Sequence, residues 1–236
     1  MQRWVIVGDV HGCVAELDAL LDRVGISEGD SLVFVGDLVA KGPRSREVLR
    51  RALSLGARVA LGNHEERVLE ARRARREGRP LPKLDKTHSA LLDELAEDEW
   101  SMLESLPLWL DLDERLRVVH AGLVPGLPMA EQDPYHLTHL RSISDAGEPS
   151  SKWGPPWGAR YRGPPHVVFG HNARKDPQLH RDATGLDTGC VYGGFLTALV
   201  VPKGSLPPEP QDRPDALISV RAREAYSDYG GPLQNR

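Results

Sequence analysis

Three short apolar segments near the start of the chain each end in glycine followed by a residue that can bind a metal ion. The segments cover residues 3–7, 31–35 and 58–61, and the residues after their glycines are Asp9, Asp37 and Asn63. Apolar residues recur with helical spacing between the first two segments, and Pro43 begins a second helical pattern that runs to about residue 55. This alternation of strands and helices predicts parallel strands joined by right-handed crossovers.

The order of these elements also predicts where the polar residues lie. Because the carboxyl ends of neighbouring parallel strands meet at one edge of a sheet, Asp9, Asp37 and Asn63 should come close together. A chain of 236 residues suits one well-buried core and is short for two full domains. We therefore predict a single α/β domain over residues 1–221.

The remaining sequence is predicted as an insert, a loop and a second set of strands. The pattern from 65 to 105 is helical with a break near 78–82, and we expect a small helical cap insert, about 66–105, over the sheet edge. Residues 123–165 are rich in Pro, Gly and Trp, which is typical of a functional loop in a compact domain. A largely antiparallel second half is predicted from strands at residues 118–119, 166–169, near 186, 195–201 and 217–220. The polar residues 222–236 predict a loose tail.

The composition argues against several classes of protein. A formal net charge of −4 gives no sign of a general nucleic-acid binder, so no DNA partner is expected. The first residues run straight into a strand without signal-peptide features, and no apolar run approaches the roughly 18 residues that span a bilayer. We expect a cytoplasmic protein without a membrane partner. Cys13 and Cys190 are too few for a disulfide scaffold or a cysteine-based zinc site, and we expect two partly buried thiols.

Five short motifs contain the residue types that divalent cations prefer. They are GDVHG at 8–12, GDLVAKG at 36–42, GNHE at 62–65, HAG at 120–122 and GH at 170–171. Carboxylate, imidazole and amide oxygen groups bind such ions, and a two-metal site needs a carboxylate shared between the ions. The candidate ligands are Asp9, His11, Asp37, Asn63, His120 and His171. A lone Gly-Asp after a strand is commonplace, whereas five motifs in this order indicate a dinuclear site with Asp37 as the shared ligand.

This set of motifs resembles that of the phosphoprotein phosphatase superfamily of calcineurin-like metallophosphoesterases, with matches from Gly8 to His171. Within that superfamily, GDLVAKGP at 36–43 and LDTGCVYGG at 186–194 are similar to the bacterial symmetrical diadenosine tetraphosphatases. The resemblance implies a sandwich of two mixed β-sheets flanked by helices, with a dinuclear site at the sheet edge.

The resemblance also implies a role for each matched residue. The first ion would be held by Asp9, His11 and Asp37, and the second by Asp37, Asn63, His120 and His171. His64 would be the general acid that protonates the leaving oxygen, while a hydroxide bridging the two ions attacks phosphorus in line, without a covalent intermediate. The ions are expected to be Mn²⁺, although Co²⁺, Fe or Zn²⁺ would accept the same ligands.

Two residues of the second motif depart from the protein phosphatases of this superfamily. Those enzymes carry GD-x-VDRG, whereas here Ala40 stands for the second Asp and Lys41 for the Arg. Because that Asp orients the catalytic histidine in those enzymes, either another group orients His64 or His64 works less efficiently. Lys41 can still meet a phosphate, as a point charge instead of a bidentate fork. The departure favours a dinucleotide substrate over a phosphoprotein.

Further residues are candidates for substrate contacts. Arg141, in HLRS, matches the place of a second phosphate-binding arginine in the family, and the alternative is a surface arginine. Lys83 follows an arginine-rich run at 67–79 and could reach a distal phosphate, although charge runs on helices are usually solvated faces. Trp153, Trp157 and Tyr161 could stack on adenine or could pack the irregular loop onto the core.

These residues support three hypotheses about function. The leading one is hydrolysis of the dinucleoside polyphosphate Ap4A (diadenosine tetraphosphate) to two ADP, with RNA 5′ ends that carry a nucleoside-tetraphosphate cap as a further substrate. The alternative is a broad-specificity serine/threonine or tyrosine protein phosphatase, which a helical lid over the site would disfavour. A nucleotide sensor without enzymatic activity is the third, and the presence of every predicted ligand argues against it.

Overall fold

The computed structural model describes residues 2–230 and Leu233. The strands are β1 (Arg3–Val7), β2 (Ser31–Phe34), β3 (Arg58–Val59), β4 (Trp109–Asp113), β5 (Leu116–Val119), β6 (Ser142–Ile143), β7 (Pro149–Ser150), β8 (His166–Phe169), β9 (Gln178–Leu179), β10 (Ala183–Gly185), β11 (Phe195–Pro202) and β12 (Leu217–Arg221). The helices are α1 (Val14–Val24), α2 (Ser45–Ser54), α3 (Asn63–Arg76), α4 (Lys86–Glu94), α5 (Glu97–Glu104), α6 (Pro134–His139) and α7 (Trp157–Arg160). Short 3₁₀ turns cover Met129–Glu131 and Arg213–Ala216.

The first sheet contains the predicted alternation of strands and helices. Its strand order is β12-β11-β1-β2-β3, and β1, β2 and β3 run parallel. The third strand is shorter than predicted, since the backbone N–H of Leu61 donates to Pro107 O at 2.8 Å instead of continuing the ladder. The carboxyl ends of these three strands therefore meet at one edge, as predicted.

The second sheet has the strand order β4-β5-β8-β10-β9. Its outer pairs are antiparallel, but β5 pairs with β8, and β8 with β10, in parallel. The prediction of a largely antiparallel second half is wrong for these three strands. Parallel neighbours need a long crossover connection, and the irregular stretch between β5 and β8 is long enough to provide one.

The two sheets pack face to face, with helices outside both. Between them lies a cluster that includes Ile6 and Val33 from the first sheet and Val118 and Val168 from the second. The helices α1 and α2 cover the outer face of the first sheet through residues such as Leu17 and Leu49, while Trp157 and Leu137 cover the outer face of the second. The predicted sandwich of two mixed sheets flanked by helices is confirmed. Among the described residues, every helix is too short or too polar to cross a membrane.

The region predicted as a helical insert forms α3, α4 and α5, with the break between α3 and α4. Leu91 and Trp100 of the later two helices belong to the same cluster as α1 and α2. The Arg72 guanidinium lies 4.4 Å from the centre of the Trp100 ring and binds Glu97 and Glu104 at 2.8 and 2.9 Å. The insert is thus fixed to the body of the protein through both apolar and ionic contacts.

The segment predicted as a loose tail is held against the body up to residue 230. Glu16, buried on α1, accepts hydrogen bonds from the backbone of Arg223 at 3.0 Å and from the hydroxyl of Tyr226 at 2.9 Å. The backbone N–H of Tyr226 also donates to Val191 O at 2.9 Å. The composition of this segment does not predict these contacts, because they depend on the buried acceptor Glu16, which is far away in the sequence. Most of the predicted tail after residue 230 lies outside the described residues.

The two cysteines are buried neighbours. Cys13 and Cys190 are each 1% exposed, and a hydrogen bond from Cys13, together with burial, raises the pKa of the Cys190 thiol far above its usual value. Thiols in this state are weak nucleophiles, so they act as small core residues.

One buried carboxylate fixes the edge where β2 and β3 end. Glu65, fully buried at the start of α3, accepts four backbone N–H groups. The donors and distances are Asp37 at 2.8 Å, Leu38 at 2.8 Å, Val39 at 3.0 Å and Gly62 at 3.1 Å. A Cβ atom at Gly62 would collide with the Asp37 carboxylate, so only glycine fits this close approach.

Replacing Glu65 by Gln keeps the size of the side chain and should destabilise the protein. The amide has one acceptor oxygen, so at least two of the four charge-assisted bonds are lost, and we expect a fall in the free energy of unfolding on the order of 3 kcal/mol. Urea denaturation followed by circular dichroism measures it. The control is Glu70→Gln on the same helix, an exposed partner of Arg79, which should change stability by less than about 0.5 kcal/mol. A loss below about 1 kcal/mol in Glu65→Gln would contradict this role.

Candidate metal centre

The loops at the edge of the two sheets have an unusual backbone. Five residues other than glycine have positive φ angles among the described residues, namely His11 (47°), Asp37 (50°), Ala40 (67°), Lys41 (64°) and His171 (65°). Such conformations are costly for side chains with a Cβ and are found where the surrounding structure enforces them. All five belong to the motifs that supply the predicted ligands, so backbone strain is concentrated at this site.

The side chains form two groups that share one carboxylate. His11, Asp37 and His64 place ligand atoms within 4.8 Å of one another, and so do Asp37, His120 and His171. The side-chain oxygen of Asn63 lies 3.0 Å from His120 Nε2 and 3.0 Å from His171 Nδ1. The structure thus brings these predicted residues together, with Asp37 in the shared position.

Two of the histidines are oriented by backbone carbonyl groups. Val39 O lies 3.0 Å from His11 Nδ1, and Val35 O lies 3.0 Å from His120 Nδ1. A carbonyl can only accept, so each Nδ1 carries the proton and each Nε2 presents a lone pair to the site. Burial, and then the charge of Lys41, lower the pKa of His11 to about 3, and burial lowers the pKa of His120. Both rings are therefore neutral, the form that binds metals.

Asp9 and Asp187 add buried negative charge beside Asp37. Burial, followed by the charges of Asp187 and Asp37, raises the pKa of Asp9 well above its usual value. Burial also raises the pKa of Asp187 to about 6. The Asp9 carboxylate accepts the backbone N–H of His171 at 3.0 Å and 3.2 Å and lies outside the two ligand groups. Its role as a ligand of the first ion stays a prediction.

These donors fit two divalent cations. The lone pair of His120 Nε2 faces Asp37 Oδ2 at 3.4 Å and Asn63 Oδ1 at 3.0 Å, and acceptors at such distances repel one another unless a cation lies between them. Two ligand atoms that are each about 2.1 Å from one ion, at an angle of about 90° at the ion, lie about 3 Å from each other. The distances of His120 Nε2 to Asp37 and Asn63 are close to this value. Clustered carboxylates with raised pKa values are likewise stabilised by positive charge.

His64 contacts a histidine that the sequence analysis did not identify. Its backbone N–H donates to Asp37 Oδ1 at 3.0 Å, and its Nδ1 lies 2.8 Å from Nε2 of His88, a residue only 1% exposed on α4. Asp85 Oδ1 in turn lies 2.8 Å from His88 Nδ1, out of line with an ideal hydrogen bond. The sequence signal that could have identified His88 is the pattern Asp85-x-x-His88 at the start of a helix in the insert. In the structure Asp85 caps α4 by accepting the backbone N–H of His88 at 3.0 Å.

Lys41 and Arg141 place positive charge at the site. Lys41 Nζ lies 3.0 Å from His11 Nε2 and 5.4 Å from the centre of the Tyr192 ring. The Arg141 guanidinium lies 5.0 Å from the centre of the Trp153 ring. The pKa of His171 is lowered mainly by burial, next by the charge of His120 and then by the charge of Arg141. Both positive charges therefore lie near the ligand groups, and contact of either residue with a phosphate stays a prediction.

Of the other predicted substrate residues, Trp157 and Tyr161 are buried, whereas Lys83 is exposed. Trp157 has no exposed area, and its Nε1–H donates to Ala121 O at 2.9 Å. Tyr161 is 7% exposed, with its hydroxyl donating to Pro165 O at 2.8 Å. Both rings pack the irregular loop onto the second sheet, so the prediction that they stack on adenine does not fit their burial. Lys83 is exposed between α3 and α4, and its contact with a phosphate stays a prediction.

Comparison with known proteins identifies related chains along most of the sequence. The model of the calcineurin-like phosphoesterase family matches residues 3–209. A Bacillus subtilis protein named bis(5'-nucleosyl)-tetraphosphatase PrpE, asymmetrical, is 31% identical over 84% of this chain and 90% of its own length. A Cronobacter sakazakii protein named bis(5'-nucleosyl)-tetraphosphatase, symmetrical, is 33% identical over 82% and 89%. A solved structure provisionally named a diadenosine tetraphosphatase is 36% identical, with a TM-score of 0.78 and 93% coverage of both chains.

Two substitutions separate the proposed ligands from His64. Asp37→Asn should reduce binding of both ions, because Asp37 belongs to both groups, whereas His64→Asn should still bind two. Titration calorimetry with Mn²⁺ on metal-free protein gives the stoichiometry. His64→Asn should also lower turnover by about 10²–10⁴-fold, the usual contribution of a general acid. Loss of one ion in His64→Asn would instead make His64 a ligand of the first group.

Proposed function

We propose that this chain, which belongs to the calcineurin-like phosphoesterase family and is a hydrolase of the metallophosphoesterase type, acts on dinucleoside tetraphosphates such as Ap4A. The proposed cleavage is symmetrical and gives two ADP. The observation that carries the chemistry is the pair of ligand groups that share Asp37. Relatives of both names, symmetrical and asymmetrical, support the substrate class. Symmetrical cleavage is proposed from the motifs GDLVAKGP and LDTGCVYGG.

In this proposal the ligands divide as the family resemblance implies. Asp9, His11 and Asp37 hold the first ion, and Asp37, Asn63, His120 and His171 hold the second. When bound, two such ions lower the pKa of water and neutralise negative charge on phosphoryl oxygens. Mn²⁺ is the proposed metal, and Co²⁺, Fe or Zn²⁺ suit the same donors.

The remaining residues act on the phosphate chain. The His64 ring belongs to the first ligand group and its Nδ1 contacts His88, so Nε2 is the atom that would give a proton to the leaving phosphate oxygen, from the imidazolium form. Lys41, beside His11, and Arg141, beside His171, provide positive charge for the phosphoryl oxygens. RNA ends that carry a nucleoside-tetraphosphate cap contain the same phosphate chain and are proposed as a further substrate.

Product analysis tests this proposal directly. Purified protein is incubated with Mn²⁺ and Ap4A, and the nucleotides are separated by ion-exchange chromatography; we expect ADP as the only product. AMP with ATP would establish asymmetrical cleavage, the reaction in the names of the PrpE relatives. Parallel reactions with Ap5A, a capped RNA and a phosphopeptide use the same metal concentration. Comparable rates on the phosphopeptide and Ap4A would favour the broad-specificity protein phosphatase instead.

A further inference from the structure

A groove lies between α3 and α6, directly beside the second ligand group. It has a volume of about 500 Å³ and is lined by Asn63, Arg67 and Glu70 on α3 and by Tyr135 and His139 on α6. Pockets for small molecules usually measure ~300–1,000 Å³. Because Asn63 is one of the proposed ligands, a molecule held at the metal centre through a phosphate can extend into this groove.

Arg67 differs from the other arginines on α3. Within the described part of the chain, its guanidinium forms no ion pair or hydrogen bond, and its side chain is exposed. The others are paired within the insert: Arg72 with Glu97 and Glu104, Arg73 with Glu70, Arg75 with Asp93, and Arg76 with Glu97 and Glu104. Arg67 lies one helical turn after Asn63, so its free charge faces the same side of α3 as the metal centre.

The opposite wall of the groove presents an aromatic surface. The Tyr135 and His139 rings are stacked, with centroids 4.3 Å apart and planes 9° apart. The His139 ring is itself 6.2 Å from that of His171, in the second ligand group. Tyr135 remains 49% exposed, so part of its surface is open to a second flat ring. Bases stack readily on such aromatic side chains.

We propose that this groove binds one nucleoside half of the substrate, with Arg67 contacting the phosphates and Tyr135 stacking on the base. The inference rests on the proposed function for its substrate class. Tyr135, which is exposed near the second ligand group, thus takes the stacking role that the sequence had suggested for the buried Trp157 and Tyr161. A paired arginine and a buried ring would each have to break contacts to bind, whereas Arg67 and Tyr135 need not.

Binding of ADP and of pyrophosphate to the Mn²⁺-loaded protein separates the two contacts. Tyr135→Ala should weaken ADP binding about tenfold and leave pyrophosphate binding within about twofold, because only ADP has a base. Tyr135→Phe, which keeps the ring, should bind ADP like the wild type. Arg67→Ala should weaken both ligands about tenfold. Arg75→Ala removes an equal charge from the same helix, but at a paired position, and should change neither.

Each outcome bears on the groove independently of turnover. Unchanged ADP affinity in Tyr135→Ala, or an equal loss in Arg75→Ala and Arg67→Ala, overturns the assignment. If the protein fails to cleave Ap4A while ADP affinity still depends on Tyr135, the proposed function is wrong and the nucleoside site stands.

The contact between His64 and His88 carries a second inference. The Asp85 carboxylate oxygen lies 2.8 Å from His88 Nδ1, out of line with an ideal hydrogen bond. A lone pair on Nδ1 would still be repelled at this distance, so the proton sits on Nδ1 and His88 Nε2 is an acceptor. The His64 Nδ1 at 2.8 Å from that Nε2 must then be the donor. In the neutral ring this direction of hydrogen bonds puts the proton of His64 on Nδ1 and leaves a lone pair on Nε2. His64 Nε2 can therefore give a proton to the leaving oxygen only after it has taken one up, in the imidazolium form.

We propose that His88, held by Asp85, is the positioning residue for His64. It occupies the role that the protein phosphatases of the family give to the Asp replaced here by Ala40. The group comes from α4 in the insert instead of from the second motif. The inference depends on His64 being the general acid.

Leaving groups of different basicity test this role. Phenyl phosphate releases a phenol with a pKa near ~10 and needs a proton donor, whereas the more acidic p-nitrophenol leaves readily without one. His88→Ala should lower kcat on phenyl phosphate at least about tenfold, and kcat on p-nitrophenyl phosphate much less, with KM within about twofold. His88→Gln, which keeps an acceptor, should recover part of the loss. Asp85→Asn keeps the helix cap and should show a smaller loss of the same kind.

Two results would overturn the positioning role. Equal losses on both phosphates in His88→Ala, or a normal Nδ1–H signal of His64 in the ¹⁵N NMR spectrum of metal-free His88→Ala, would reduce His88 to a packing residue. If His64→Asn itself shows no dependence on the leaving group, the general-acid assignment is wrong, which is a separate failure.

Discussion

The Glu65 carboxylate is the interaction on which the geometry of the site depends. It gathers the N–H groups of Asp37, Leu38 and Val39 and that of Gly62, and so joins the ends of β2 and β3. Asp37 is held in a left-handed conformation by this contact, with its side chain turned toward both ligand groups. A local feature of one helix start therefore sets the position of the carboxylate that both ions would share.

The rest of the site is arranged at a cost in stability. Strained backbone and buried carboxylates are each unfavourable, and within residues 2–230 they occur together only at this edge. The three sheet-edge loops must consequently be supported by the sandwich core behind them. Such a site gains most from bound cations, which relieve the repulsion among Asp9, Asp37 and Asp187.

Positions set by strand order can be predicted from the sequence, whereas positions set by distant contacts cannot. Asp37, Asn63 and His120 could be placed because each comes directly after an apolar strand. The parallel pairing of β5, β8 and β10 could not, since an apolar strand carries no mark of its direction. Trp157 fits a stacking role or a core role equally well by composition, and only its burial decides. His88 was missed because its partner, His64, lies on a different helix and no motif connects them.

The insert contacts the site through α4. Thr87 at the start of α4 accepts the backbone N–H of Lys41 at 2.8 Å, and the neighbouring His88 reaches His64. Opening of α4 alone would separate these contacts while Asp37, His120 and His171 stay on the sheets. A state in which α4 had opened would therefore keep the metal ligands but lose the alignment of the proton donor. Turnover would then report the local stability of one nine-residue helix, which can be lower than that of the whole fold.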